Sequence, residues 1–157
     1  MKETNPSECF KVYVPARLES TRLPGKVLLT WKGKTILQHV YEKAVASGAK
    51  EVVVATDSLQ IEQVARDFGA IVELTKKGIE SGTDRVAVAA SKRGEDPDTI
   101  IVNLQGDEPL ISSSSLDKMI SMLKILDDKH NSIISGVEPI NPQEALDLNE
   151  AKCALYD

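Results

Sequence analysis

The chain has 157 residues, 41% hydrophobic and 27% charged, with a net charge of -5. That size and balance suit one soluble α/β-sized domain with a real core, and the negative charge argues against general nucleic-acid binding while leaving room for a local basic pocket. No apolar run approaches the length of a bilayer span, and residues 1–10 form a polar tail without the apolar stretch of a secretory signal. Cys9 and Cys153 lie far apart and match no metal spacing, so reduced thiols in a cytoplasmic protein are the simplest account.

Lys11 to Val14 reads as a buried first strand. The loop after it, Pro15 to Lys26, holds Arg17, Arg22 and Lys26 between two prolines and a glycine. Arginines match phosphate oxygens in a forked geometry and a lysine adds a compact charge. The spacing fits neither a P-loop nor a dinucleotide fingerprint. Taken alone, the three cations fit a solvated loop as well as a phosphate site.

Thr35 and Gln38 predict a capping box. The helix behind it places Ile36, Leu37, Val40, Tyr41 and Ala44 on one face and stops at Gly48. Glu51 to Thr56 contains Val-Val-Val, the continuous run of a strand covered on both faces. Asp57 is a candidate cap for a helix with Ile61, Val64, Ala65 and Phe68 inward, although it could equally contact a ligand. A short strand over Ala70 to Leu74 follows, then a polar loop, and then a helix from Thr83 to about Lys92 with Val86, Ala87 and Ala90 inward.

Thr99 to Leu104 predicts a fourth strand, leading into Gln105-Gly106-Asp107-Glu108-Pro109. Ser112 to Ser115 predicts the N-cap of a helix carrying Leu116, Met119, Ile120, Leu123 and Leu126 at helical spacing. Ser132 to Val137 reads as a strand, Asn141, Pro142 and Glu144 as the start of a short helix, and Ala151 to Tyr156 as a last strand. Strands separated by helices of this length imply right-handed crossovers and a mainly parallel sheet with helices on both faces. The expected organisation is one α/β domain over residues 11–157. Ending just past a strand signal, the chain reads as an incomplete or shortened domain.

Four loops follow predicted strands, and in an open parallel sheet such loops converge on one crevice. The first is basic. The others hold Asp57, the Glu80 to Arg85 segment, and Gln105 with Asp107. A basic loop facing an acidic one suggests a nucleoside triphosphate with a divalent cation between them, and Mg²⁺ suits carboxylate and phosphate oxygens together. Asp107 is the favoured ligand, set against the plain reading of an Asp in a Gly-Asp turn. Gln105 could bond a sugar or base, or simply satisfy nearby backbone. Ser81-Gly82-Thr83 offers donors at a helix start, which for Thr83 is explained fully by ordinary capping. Arg85 could reach a ligand or pair with Asp84 or Glu80. His39 and His130 read as structural.

Pro15-Ala16-Arg17 through Lys26, Val54-Ala55-Thr56-Asp57, Ser81-Gly82-Thr83-Asp84-Arg85 and Val102-Asn103-Leu104-Gln105-Gly106-Asp107-Glu108-Pro109 stand in an order and spacing that resembles the CMP-Kdo synthetases, the cytidylyltransferases that activate 3-deoxy-D-manno-octulosonate (Kdo). The likeness runs from about Lys11 to the end of the chain, with Asp84 where many relatives have Glu. It implies a three-layer, Rossmann-like fold of the nucleotide-diphospho-sugar transferase kind. It also implies transfer of CMP from CTP to Kdo with Mg²⁺ and release of pyrophosphate, in the cytoplasm, for lipopolysaccharide synthesis. By the same resemblance Arg17 and Lys26, helped by Arg22, hold the triphosphate. Ala16, Ser81 and Arg85 surround the nucleoside, Gln105 lies near the reacting groups, and Asp107 binds the metal.

Members of the family continue for roughly ninety further residues, a length that holds a second metal-binding Asp, most of the sugar pocket and much of a homodimer contact. The expectation for the shortened chain is nucleotide binding without turnover. Activation of another acidic sugar, such as a sialic acid, is the nearest rival, followed by transfer to an ordinary sugar phosphate and by a nucleotide-binding remnant without catalysis.

Overall fold

The structure is a computed structural model that describes residues 10–19 and 23–125. Arg22, His130, both cysteines and the strand and helix signals after residue 125 lie outside the described residues. The chain divides into two compact units, Met1–Leu116 and Asp117–Asp157. The first contains the sheet and all the candidate residues described below.

Strand β1 runs Phe10–Ala16 (7 residues), longer at both ends than its apolar core suggests, because Phe10 is buried at the strand's start rather than part of a polar tail. After a 3₁₀ turn at Lys26–Leu28, a small hairpin pairs β2 (Thr30–Trp31) with β3 (Lys34–Thr35). Its two-residue turn has Lys32 at φ 50° and Gly33 at φ 79°, the left-handed pair that matches strand twist. The hairpin is not predicted from sequence, since two-residue strands carry no periodicity.

Helix α1 (Ile36–Ala46) begins at Thr35, whose hydroxyl accepts from the Gln38 N–H at 3.1 Å. Only half of the expected capping box forms, because the Gln38 side chain bonds Glu42, which is also held by Lys34. Strand β4 is Glu51–Thr56, α2 is Leu59–Asp67, β5 is Ile71–Leu74, α3 is Gly82–Lys92, β6 is Ile100–Asn103 and α4 is Ser113–Ile125.

The four-stranded sheet has the order β5-β4-β1-β6, with every neighbouring pair parallel. Chain order therefore moves outward from β1 through β4 to β5, then returns to the other side of β1. Right-handed crossovers put helices of opposite travel on opposite faces. Tyr13, Val53 and Ala55 accordingly pack with Val86, Ala89 and Ala90 of α3. Val12, Val14, Val52 and Val54 alternate with those strand residues and point to the other face, where the buried side chains of α1 and α2 include Leu37, Val40, Ile61 and Ala65. Ala89, not the expected Ala87, completes the inner face of α3, and Ala87 is exposed.

The amino end of the sheet is closed by an ion network. Glu95 accepts from Lys11 at 3.0 Å and from the Tyr13 hydroxyl at 2.6 Å, while Arg93 pairs with Glu51 at 2.7 Å. Burial pushes the Glu95 carboxyl upward, but the Lys11 and Tyr13 hydrogen bonds and nearby Arg93 outweigh it and hold its pKa below the ordinary 4.5. Burial and then Glu95 drive the Tyr13 phenol far above its usual range.

A carboxylate depressed in the folded state stabilises the fold fully above its unfolded pKa, and that stability is lost as pH falls through the folded value. Glu95→Gln is expected to cost about 1.5 kcal/mol at neutral pH by weakening the bonds from Lys11 and Tyr13, while Glu51 still pairs with both Lys11 and Arg93. It should also flatten the acid limb below pH 4.5, where the wild-type carboxylate begins to protonate. Urea unfolding of both proteins between pH 3 and pH 7, roughly the carboxylate range, measures both effects.

Candidate active site

The sheet order reverses beside β1, so the crevice between the carboxyl ends of β1 and β6 is the topological switch point, where open α/β sheets bind ligands. Two loops leave the sheet there. The first continues from Ala16 into Arg17. The second is drawn against it by a Leu104 N–H donating to the Tyr13 carbonyl at 2.9 Å and a Gly106 N–H donating to the Pro15 carbonyl at 3.3 Å. A Cβ on Gly106 would lie 2.8 Å from that Pro15 carbonyl, so the approach of the two loops requires glycine at this position.

Lys26 reaches the same crevice by a different route. The N–H of Gly25 donates to the Leu18 carbonyl at 2.8 Å and closes the loop. Its φ of 70° turns the chain into the 3₁₀ helix, which buried Val27 anchors. Lys26 Nζ then lies 3.1 Å from Asp107 Oδ2, with both side chains a little under half exposed.

Pro15, Ala16, Arg17, Lys26, Gln105 and Asp107 thus share the walls of one cavity of about 130 Å³, with Gly82 and Arg85 on another side. A second cavity of about 620 Å³ adjoins it, and Arg17 and Arg85 line both. The first alone is smaller than the roughly 300–1,000 Å³ of ordinary ligand pockets, and the two together have room for a nucleotide.

Gln105 is held by a short relay. Its amide donates to Asn103 Oδ1 at 3.2 Å, and Asn103 Nδ2 donates to Thr83 Oγ1 at 3.1 Å. Gly82 lies directly against it, and a Cβ there would meet Gln105 Oε1 at 3.0 Å. Ser81, not Thr83, caps α3. Its hydroxyl accepts from the Asp84 N–H at 2.9 Å and donates to Asp84 Oδ2 at 2.7 Å, and Ser81 is not among the residues lining the smaller cavity.

Asp57 is not a cap either. Ser58 caps α2, accepting from Ile61 N–H at 3.3 Å, while Asp57 pairs with Arg85 at 3.0 Å. Arg85 therefore pairs with neither Asp84 nor Glu80. Arg17 Nη1 donates to the Glu80 carbonyl at 2.8 Å, a backbone contact that carries no sequence signal. His39 bonds the Trp31 carbonyl at 2.8 Å and packs on the Trp31 ring, a structural part as expected.

The crevice joins two cations, a carboxylate and an amide at the switch point of a parallel sheet. This fold and site define an α/β protein of the nucleotidyltransferase kind. The family profile described as Cytidylyltransferase matches residues 12–157, and the chain belongs to that family. It is 52% identical to the 3-deoxy-manno-octulosonate cytidylyltransferase of Coxiella burnetii (strain RSA 493 / Nine Mile phase I) over 94% of this chain and 61% of that protein. Identity to the enzyme of the same name from Pasteurella multocida (strain Pm70) is 46%, over 91% of this chain and 55% of the relative.

Among solved structures, CMP:2-keto-3-deoxy-manno-octonic acid synthetase complexed with CTP superposes with a TM-score of 0.68 at 41% identity, covering 73% of this chain and 47% of that one. The chain thus spans less than two thirds of the length of these relatives. No helix among the described residues is long and apolar enough to cross a membrane.

Proposed function

We propose that the crevice binds CTP with Mg²⁺ and serves the transfer of CMP to Kdo, with release of pyrophosphate. The observation that carries this reading is the meeting of Arg17, Lys26, Gln105 and Asp107 on one cavity, with Lys26 and Asp107 at 3.1 Å. The names of the relatives, and the CTP bound to the synthetase, support the choice of nucleotide and sugar.

In this reading Arg17 grips the triphosphate with its planar fork and Lys26 with a point charge, with Arg22 adding a third cation. Ala16, Ser81 and Arg85 belong to the nucleoside side, and Gln105 orients the reacting groups through its fixed amide. The sugar hydroxyl attacks the α-phosphorus in line, the bond to pyrophosphate breaks, and the hydroxyl proton passes to solvent. No covalent enzyme intermediate is needed, so the protein works by positioning and charge stabilisation.

Among the described residues no group of three or more His, Cys, Asp or Glu side chains converges. Asp107 stands instead as a single carboxylate beside phosphate-binding cations, the donor set that suits Mg²⁺ shared with a substrate. When bound, Mg²⁺ supplies charge neutralisation on the triphosphate and polarises the α-phosphoryl oxygen. A cytoplasmic location, lipopolysaccharide synthesis and a homodimer accompany this reading, and the net charge of -5 supports the absence of a nucleic-acid partner.

Calorimetry with CTP, UTP, ATP and GTP in Mg²⁺ tests the assignment. CTP is expected to bind at least about tenfold more tightly than the others. Equal affinities for all four would refute it.

A further inference from the structure

Arg85 lies on the first turn of α3 and is 2% exposed. A buried guanidinium is costly unless its donors are matched, and here they bind three groups on two separate stretches of chain. Nη1 donates to Thr75 Oγ1 at 2.6 Å, and Nη2 donates to Asp57 Oδ2 at 3.0 Å and to the Ile79 carbonyl at 3.2 Å. Thr75 opens the loop after β5, Ile79 stands near its end, and Asp57 follows β4. The loop is therefore pinned at both ends to the rim of the sheet. The next carbonyl, that of Glu80, is the one that receives Arg17 Nη1 at 2.8 Å.

We infer that the Asp57–Arg85 pair is a clamp whose task is to position Arg17 for the triphosphate, acting through the Ile79–Glu80 backbone. This rests on the proposed function and assigns Arg85 a positioning role instead of a direct grip on the nucleotide. Arg17 is exposed and long, so its rotamers must be restricted before it can hold a phosphate at low entropic cost. A fixed carbonyl supplies that restriction only while the loop itself is fixed. Asp57, one-fifth exposed, supplies the countercharge that keeps the Arg85 fork oriented.

The test is a double-mutant cycle on CTP affinity, measured by calorimetry on the full chain with Mg²⁺. Asp57→Asn is expected to weaken CTP binding about tenfold in the wild-type background and less than about twofold in the Arg17→Ala background, because the effect passes through Arg17. A merely structural role would give the same factor in both backgrounds, and that result, or no effect of Asp57→Asn on the wild type, overturns the inference.

Should Asp57→Asn not fold by its thermal melt, Thr75→Val removes the neutral contact to Nη1 and is held to the same coupling criterion. Arg85→Lys, which keeps the charge and loses the fork, is expected to reproduce the Asp57→Asn factor. Failure of the functional reading is distinguishable, since the wild type would then bind CTP no more tightly than UTP, ATP or GTP, or not at all. The clamp is in that case judged by amide exchange over residues 76–80, which Asp57→Asn should accelerate about tenfold through local opening. Unchanged exchange overturns it.

Discussion

Asp107→Asn is expected to tighten CTP binding about tenfold in metal-free buffer. The same variant should lose the gain in affinity that Mg²⁺ gives the wild type. Without nucleotide, Lys26 Nζ is engaged by Asp107 at 3.1 Å across the smaller cavity. A triphosphate competes with Asp107 for Lys26, and it then faces an anionic carboxylate. Asparagine removes the repulsion and frees the lysine, so the bare nucleotide gains. Asp107 would supply the protein's charge to a bound Mg²⁺, and with that charge removed the Mg²⁺ increment would fall away. Calorimetry with EDTA and with excess Mg²⁺ gives both numbers. Weaker metal-free binding in Asp107→Asn than in wild type would contradict the arrangement.

Lys26→Met is expected to act in the opposite sense. Methionine keeps most of the apolar stem and removes the ammonium of a half-exposed side chain, so folding should be preserved. Losing a charge-assisted contact to phosphate costs about 1.5–3 kcal/mol, or about a ten- to hundredfold rise in the CTP dissociation constant. The loss should be largest without metal, since the unpaired Asp107 carboxylate then faces the triphosphate with nothing to offset it. Opposite signs for the two variants in EDTA are the signature of one shared site. Parallel losses would mean that the two residues serve the fold or separate ligands.

Much of this site is legible in the sequence because its parts sit in loops after strands, and the strands are marked by buried β-branched runs such as Val52-Val53-Val54. The crossovers and the convergence of the Arg17 and Asp107 loops follow from that alternation alone. Local choice among neighbouring polar residues is less legible. Asp57 and Ser58 are both competent caps, and the decision falls to Ser58 because Asp57 is drawn to Arg85, 28 positions away. Ser81 takes the cap from Thr83 while the Thr83 hydroxyl accepts from Asn103, 20 positions on.

Gln38 leaves its capping box for Glu42, which Lys34 also holds. For Asp57 and Thr83 a contact from outside the local pattern sets the outcome, and for Gln38 a residue one turn on in the same helix does. The Glu80 carbonyl that receives Arg17 is backbone and has no residue code at all. Phe10 joins the sheet because its carbonyl accepts from Lys50 N–H at 3.0 Å and its side chain is buried, pairings that a polar flanking sequence conceals.

The most direct measurement is a crystal structure with CTP and Mn²⁺, read by the metal's anomalous signal. The account predicts a metal peak on the Asp107 carboxylate, the triphosphate between Arg17 and Lys26, and the Lys26–Asp107 contact opened beyond its 3.1 Å. A nucleotide bound elsewhere, or a metal peak remote from Asp107 with that contact intact, would contradict it.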